Sequence, residues 1–157
     1  MYTQILVPLD GSELAECVLP YVKWFTEVSS VNEIVLLRVV EPFHISGGLE
    51  DKVEPQEKER IEGDAIKLAE GYLDNIAGQF KETAIKINRV VKVGRPAKTI
   101  TDYVSQSDVD LIIMATHAYS GVHRLVHGSV AEEILRAARA PLFLVTPKDR
   151  PPDRPDA

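Results

Sequence analysis

The chain has one cysteine, Cys17, among 157 residues. No intrachain disulfide can form, and nothing points to an oxidising compartment. Cys17 falls among helix-type apolar positions and reads as a small core residue. A surplus of positive charge is missing too: 18 Lys and Arg stand against 24 Asp and Glu. The basic residues are scattered rather than striped, so no field gathers a phosphodiester backbone, and nucleic acid is not an expected partner. No apolar run approaches the ~20 residues of a bilayer span. Met1 leads straight into strand-like sequence, without the basic start and apolar stretch of a signal peptide. The expectation is a soluble, cytoplasmic protein with no membrane partner. Neither Gly-x-x-x-x-Gly-Lys-Ser/Thr nor Gly-x-Gly-x-x-Gly occurs, which removes the main support for ATPase and dehydrogenase readings. No internal repeat is present.

What is present suffices for one core: 45% of the residues are hydrophobic, and the length is that of a single domain. Ile5-Leu6-Val7 is a continuous apolar run closed by Pro8 and the turn-forming Asp10-Gly11-Ser12, the pattern of a parallel strand buried on both faces. Leu14, Val18, Val22 and Phe25 then recur at helical spacing. Ser12 stands where it can cap the start, and Pro20 removes one interior hydrogen bond, so a kinked helix is expected from Glu13. Trp24 and Phe25 fit helix packing better than base stacking. Ile34 to Val40 is a second dense strand run. The polar stretch after it, 41–56, contains Gly47-Gly48 and reads as a mobile loop.

Glu57 to Ala77 carries apolar groups at Ile61, Ala65, Leu68, Tyr72, Leu73 and Ile76, with Pro55 near the start and Gly78 just past the end, and predicts the longest helix. Ile85, Ile87, Val91 and Val93 have the alternation of a strand nearer a sheet edge, ended by Gly94. Pro96 opens a helix through Ile100, Tyr103 and Val104, and Leu111-Ile112-Ile113-Met114 is a third dense strand. A last helix from Ser129 to Ala138 precedes the apolar strand Leu142-Phe143-Leu144-Val145. From Lys148 onward prolines alternate with charges, so 1–147 is expected to form one domain and 148–157 a disordered tail. Strands alternating with helices in this order imply an α/β fold, a parallel sheet with helices on both faces and right-handed crossovers. Ligands of such sheets bind beyond the carboxyl ends of the strands, where the strand order reverses. The residues just after Val7, Val39, Val93 and Met114 therefore matter most.

After Met114 come Ala115-Thr116-His117-Ala118, then nine residues, then Gly128-Ser129 opening a helix. Small residues and free helix amides at a strand end favour an anion. Several of these residues also have plain structural uses. Asp10 suits a turn or a helix entry, Gly128 a turn, and Ser129 with Glu132 forms a Ser-x-x-Glu capping box. His123 and His127, four apart, would share a helix face, but no cysteine or obvious carboxylate accompanies them, and no metal site is expected. With Arg124 they form either a positive rim near phosphates or a solvated surface. His117 follows the strand, where its ring contacts ligand or fills a corner; His44 supports no assignment. Arg38, within an apolar run, either faces a crevice or snorkels to water from a sheet edge.

At these positions the sequence resembles the universal stress protein family, whose nucleotide-binding members carry Gly-x-x-Gly, nine residues and Gly-Ser/Thr where this chain has Ala115 to Ser129. The resemblance also covers Ile5-Leu6-Val7-Pro8-Leu9-Asp10-Gly11-Ser12, Gly94-Arg95-Pro96-Ala97, Asp110-Leu111-Ile112-Ile113-Met114 and Ser129-Val130-Ala131-Glu132 through Val145. It implies a Rossmann-like, adenine nucleotide alpha hydrolase-like sheet of five parallel strands in the order 3-2-1-4-5. It implies that Asp10 hydrogen-bonds adenine, with Pro8 and Val39 beside base and ribose. Met114, Ala115 and Ala118 would line the ribose and phosphate side, and Gly128, Ser129 and Val130 would bind phosphates. The departure is at the first pair, where both glycines are alanines, Ala115 and Ala118; glycine serves where backbone must approach a ligand closely.

The function this implies is a regulatory module that binds an adenine nucleotide, ATP with Mg²⁺ foremost, and signals through a partner protein or through a homodimer formed by the strand Leu142 to Val145. The two alanines favour a rival, a stress-protective scaffold homodimer without nucleotide. An enzyme is not expected: a hydrolase needs a placed base and Mg²⁺ ligands, and only Glu132 and Glu133 lie near Gly128-Ser129. Any ATP hydrolysis should be weak.

Overall fold

A computed structural model describes residues 2–43, 53–116 and 130–147. Ten elements follow one another: β1 (Gln4–Pro8), α1 (Glu13–Glu16), α2 (Leu19–Val28), β2 (Glu33–Val40), α3 (Pro55–Gly78), β3 (Lys86–Val93), α4 (Pro96–Ser105), β4 (Leu111–Ala115), α5 (Val130–Ala137) and β5 (Leu142–Val145). All strand pairings are parallel and the sheet order is β3-β2-β1-β4-β5, as the family resemblance implies. The dense apolar runs occupy the centre. Ile5, Leu6 and Val7 of β1 and Ile34 to Leu37 of β2 are fully buried, because a parallel strand covered by helices on both faces has no solvent side.

Side chains alternate across the sheet and divide the core in two. Ile5, Val7, Ile34, Leu36, Leu111 and Ile113 point to the face covered by α1, α2 and α3, where they meet Ala15, Val22, Phe25, Leu73 and Ile76. Leu6, Val35, Leu37, Ile112 and Met114 point to the other face and pack on Ala97, Ile100 and Val104 of α4 and on Ala131 and Ile134 of α5. Asp110 ties the amino-terminal edge together, its Oδ2 accepting from the Thr3 backbone N–H and from Thr3 Oγ1, both at 2.8 Å.

Three expectations are corrected. The single kinked helix after β1 is two helices, because Pro20 has no N–H to carry the ladder through. The chain instead closes α1 at Cys17, whose N–H turns back to the Leu14 carbonyl at 3.3 Å, and restarts with Pro20 in the first turn of α2, where a missing donor costs nothing. The polar stretch expected as loop through 56 gives way to helix at Pro55, which likewise supplies a first-turn residue. Gly78 is the last residue of α3 rather than the one after it. Within the loop expectation, 44–52 lies outside the described residues, as does the tail 148–157. Cys17 is half-buried and packs against the core.

Candidate functional site

The order β3-β2-β1-β4-β5 reverses between β1 and β4. The chain leaves β1 for the α1–α3 face and leaves β4 for α5 on the opposite face. At such a switch point the two connections diverge and open a crevice at the carboxyl edge. The ladder reflects this: β1 pairs with β2 from Gln4 to Pro8, but with β4 only at Ile5 and Leu6.

The β1–α1 turn forms one lip. Asp10 is exposed, and its Oδ1 accepts from the Ser12 backbone N–H at 2.9 Å and from the Ser12 hydroxyl. Ser12 Oγ in turn accepts from Ala15 N–H at 3.1 Å, the expected cap of α1. Gly11 between them has φ 84°, a left-handed conformation that glycine adopts without strain. The turn use expected for Asp10 is thus realised.

Pro8, Val39 and Met114 belong to three neighbouring strands. Val39 and Met114 pack on the α4–α5 side, and alternation from Leu6 puts Pro8 on that side too. They stand on one face of the sheet at its carboxyl end, and Pro8 precedes the exposed Asp10 by two residues. Val130, 38% exposed, begins α5 beyond the same face. Ala115 goes the other way: it lies in the β4–β5 ladder opposite Val145, and it packs with the α1–α3 cluster. Its methyl therefore turns away from the face that carries Met114. Ala118, Gly128 and Ser129 lie outside the described residues, as do His117, His123, Arg124 and His127.

Electrostatics at the start of α5 are balanced. The acidic Glu132 and Glu133 stand in its first turn, but Glu132 Oε1 accepts from Arg136, and Glu133 Oε2 accepts from Arg95 at 3.0 Å, across from the turn after β3. Among the described residues no three His, Cys, Asp or Glu side chains gather where they could hold a metal ion, and no helix is long and apolar enough to cross a membrane.

Arg38 was open between a crevice and a sheet edge. β2 is interior, so the edge alternative falls. The guanidinium carbon and both terminal nitrogens stand 3.6 to 3.7 Å from where a Cβ on Gly11 would be, so the group turns its face toward that open position. Tyr72 of α3 shares this corner. Among the described residues its hydroxyl is buried without a hydrogen-bond partner, and its pKa is raised, by burial first, then by the nearby Glu16 and Asp10 carboxylates, against the opposing pull of Arg38. Sequence reasoning missed this corner. Residues 11, 16, 38 and 72 come from four elements or turns, and only the unusual arginine in an apolar run signalled it. A further groove of about 350 Å³ lies between α3 and β3, lined by Ile66, Asp74, Arg89 and Val91; β2 separates it from β1 and the switch point.

A parallel five-stranded sheet in the order β3-β2-β1-β4-β5 is the architecture of an adenine nucleotide alpha hydrolase-like domain. The family model for the universal stress protein family matches residues 1–146, and the chain belongs to that family. It is 29% identical to universal stress protein MJ0577 of Methanocaldococcus jannaschii, over 95% of this chain and 98% of that protein. A solved structure of MJ0577 superposes with a TM-score of 0.76 at 27% identity, covering 96% of this chain and 99% of the other. The fold extends to far more divergent members. An Arabidopsis thaliana family protein solved with AMP bound has a TM-score of 0.60 at 15% identity, over 92% of this chain and 91% of that one. The Archaeoglobus fulgidus protein, solved in complex with dAMP, has 0.58 at 16%, over 91% and 97%.

Proposed function

We propose that this protein is a regulatory module that binds an adenine nucleotide, ATP in particular, in the crevice between β1 and β4, and that the bound state alters its contacts with a partner. The observation that carries the reading is the place of the exposed Asp10 directly after β1 at the switch point, with Pro8, Val39 and Met114 at the carboxyl ends of β1 and its two neighbouring strands. An adenine offers an apolar face and an exocyclic amine, and this lip offers an apolar face and an acceptor. Phosphate at the start of α5 meets carboxylates already paired with Arg136 and Arg95, so the helix amides are not opposed by two free negative charges. Mg²⁺ would enter with the nucleotide's own phosphates. AMP and dAMP in the two divergent family structures support the same ligand class. That the Ala115 methyl packs with the α1–α3 cluster supports this reading. Binding can bias only states that differ in affinity for the ligand, so signalling requires a contact surface that changes with occupancy. The protein is proposed as a binding module rather than an enzyme, cytoplasmic, and dimeric through β5.

The rival reading, a stress-protective scaffold homodimer with no nucleotide, draws its support from Ala118 standing where binding members carry glycine. One experiment separates the two. The purified protein is denatured and the supernatant chromatographed for released nucleotide; ATP with Mg²⁺ is then titrated into emptied protein by calorimetry. Released adenine nucleotide or a saturable titration is expected, with Asp10→Ala weakening ATP binding about tenfold or more through loss of a charged hydrogen bond. No release and no heat at millimolar ATP would establish the scaffold reading. Product release over time, measured in the same samples, would reveal an enzyme.

A further inference from the structure

We propose that Arg95 sets the preference for ATP over AMP: held by Glu133 across the starts of α4 and α5, its guanidinium offers its remaining N–H donors to the terminal phosphates, which AMP lacks. The inference rests on the nucleotide reading above and extends it to a residue to which the family resemblance gives no ligand.

Both helices begin at the carboxyl end of the sheet, since each follows a parallel strand, and both pack on the face that carries Val39 and Met114. Arg95 is the last residue before α4. Glu133 is the fourth residue of α5, about 4.5 Å along the axis from Val130 at a rise of about 1.5 Å per residue. Arg95 Nη2 donates to Glu133 Oε2 at 3.0 Å, joining residues 38 apart in the chain. The cation therefore stands beside the first turn of α5, on the face and at the end of the sheet where the β1–β4 crevice opens.

The base of this arm is fixed and its tip is not. Gly94 N–H donates to the Val40 carbonyl at 2.9 Å, the Arg95 carbonyl accepts from Thr99 N–H at 2.9 Å, and Pro96 holds the first residue of α4. A Cβ at position 94 would stand 2.5 Å from Thr99 Oγ1, so the turn closes only on glycine. The Arg95 side chain is 72% exposed, and among the described residues Glu133 accepts its one hydrogen bond. An exposed pair of this kind contributes little to stability. What it does is aim a planar group with five donors, four of them unspent, whose fork matches phosphate oxygens. One prong on Glu133 neutralises a carboxylate that would repel phosphate at the start of α5, and the other prong is left for the phosphate itself. A cation beyond the first phosphate separates ATP from AMP, whereas contacts to base and ribose are common to both and cancel in the affinity ratio.

The test compares wild type, Arg95→Gln and the double variant Arg95→Gln/Glu133→Gln, each emptied of nucleotide and titrated by calorimetry with ATP and with AMP. Urea midpoints are expected to stay at the wild-type value in both variants, since the pair is exposed. The ratio of ATP to AMP affinity is expected to fall about tenfold in Arg95→Gln, through loss of a charged hydrogen bond and exposure of Glu133. In the double variant the repulsion is gone but the contact is still missing, so the ratio is expected to remain about fivefold below wild type. An unchanged ratio in Arg95→Gln overturns the proposal. Full recovery in the double variant overturns it as well, because the arginine would then act only by covering Glu133. A wild type that binds neither nucleotide sinks the nucleotide reading, and tripolyphosphate then decides for Arg95: binding about tenfold tighter to wild type than to Arg95→Gln upholds its role toward phosphate, and equal or absent binding overturns it.

Discussion

Gly11 is the residue on which most of the lip depends. A methyl added there would stand in ordinary contact with the Arg38 guanidinium, at 3.6 Å, so space is not the obstacle. The obstacle is φ 84°, which an L-residue with a Cβ occupies only at a cost of about 1 kcal/mol or more. Gly11→Ala is therefore expected to lower stability by about 1 to 2 kcal/mol, read as a shift of the urea midpoint at constant m-value. A loss below a few tenths would mean that the turn relaxes to a negative φ. Tyr72 makes the opposite case. Its hydroxyl is buried and, among the described residues, unpartnered, with Glu16 near enough to raise its pKa but not in hydrogen-bond geometry. Tyr72→Phe should change stability at neutral pH by no more than about 1 kcal/mol, in either direction. At high pH the two proteins should diverge. The folded-state pKa lies above the unfolded value, so the contribution of the neutral phenol is fully present below about pH 10 and is lost as pH rises beyond it. Urea titrations from pH 9 to 11 should show a shallower decline for Tyr72→Phe than for the wild type. Parallel declines would place the hydroxyl in contact with water.

At the scale of elements, helix interiors were legible and helix ends were less so. The run from Ile61 to Ile76 announced α3 because its apolar groups recur with the helical period; the helix buries Leu73 and Ile76 as that period implies, together with Ala69, which was not among the expected positions, while Leu68, which was, is 77% exposed. What could not be read was the choice at Pro20 between bending one helix and starting a second. That choice depends on whether Cys17 finds another carbonyl, which only the packed turn decides. Gly63 and Gly71 lie inside α3 with nothing within 4 Å of where a Cβ would stand. Their helical backbone suits alanine, and glycine only enlarges the freedom of the unfolded chain. Gly63→Ala and Gly71→Ala should each stabilise by about 0.5 to 1 kcal/mol, additively, since the sites are two turns apart. Thermal melts of the single and double variants check this. Destabilisation at either site would indicate that α3 uses that glycine for a contact absent from the isolated chain.

Across the whole molecule, the strand runs conveyed the sheet and its layering, while the strand order and the site came through the family motifs, because periodicity says nothing about which strands are neighbours. Pro8, Val39 and Met114 came together at one end of the sheet only when β2, β1 and β4 were placed side by side. The same order leaves two edges, and they differ in chemistry. β3 carries Lys86, Arg89 and Lys92 along its length, the charged guard that keeps an edge from pairing. β5 is Leu142-Phe143-Leu144-Val145, without a charge, and Leu144 is 37% exposed in the single chain. An edge of that composition is stable in solution when a second strand covers it, and a two-fold axis lets β5 serve as its own cover. The protein is thus expected to sediment at twice the chain mass, and Leu144→Lys to convert it to a monomer. Val93→Lys at the already charged β3 edge, where Val93 is 44% exposed, should leave the dimer intact. A wild-type monomer, or a dimer lost through Val93→Lys and kept in Leu144→Lys, would move the interface away from β5 and detach the proposed signalling from that edge.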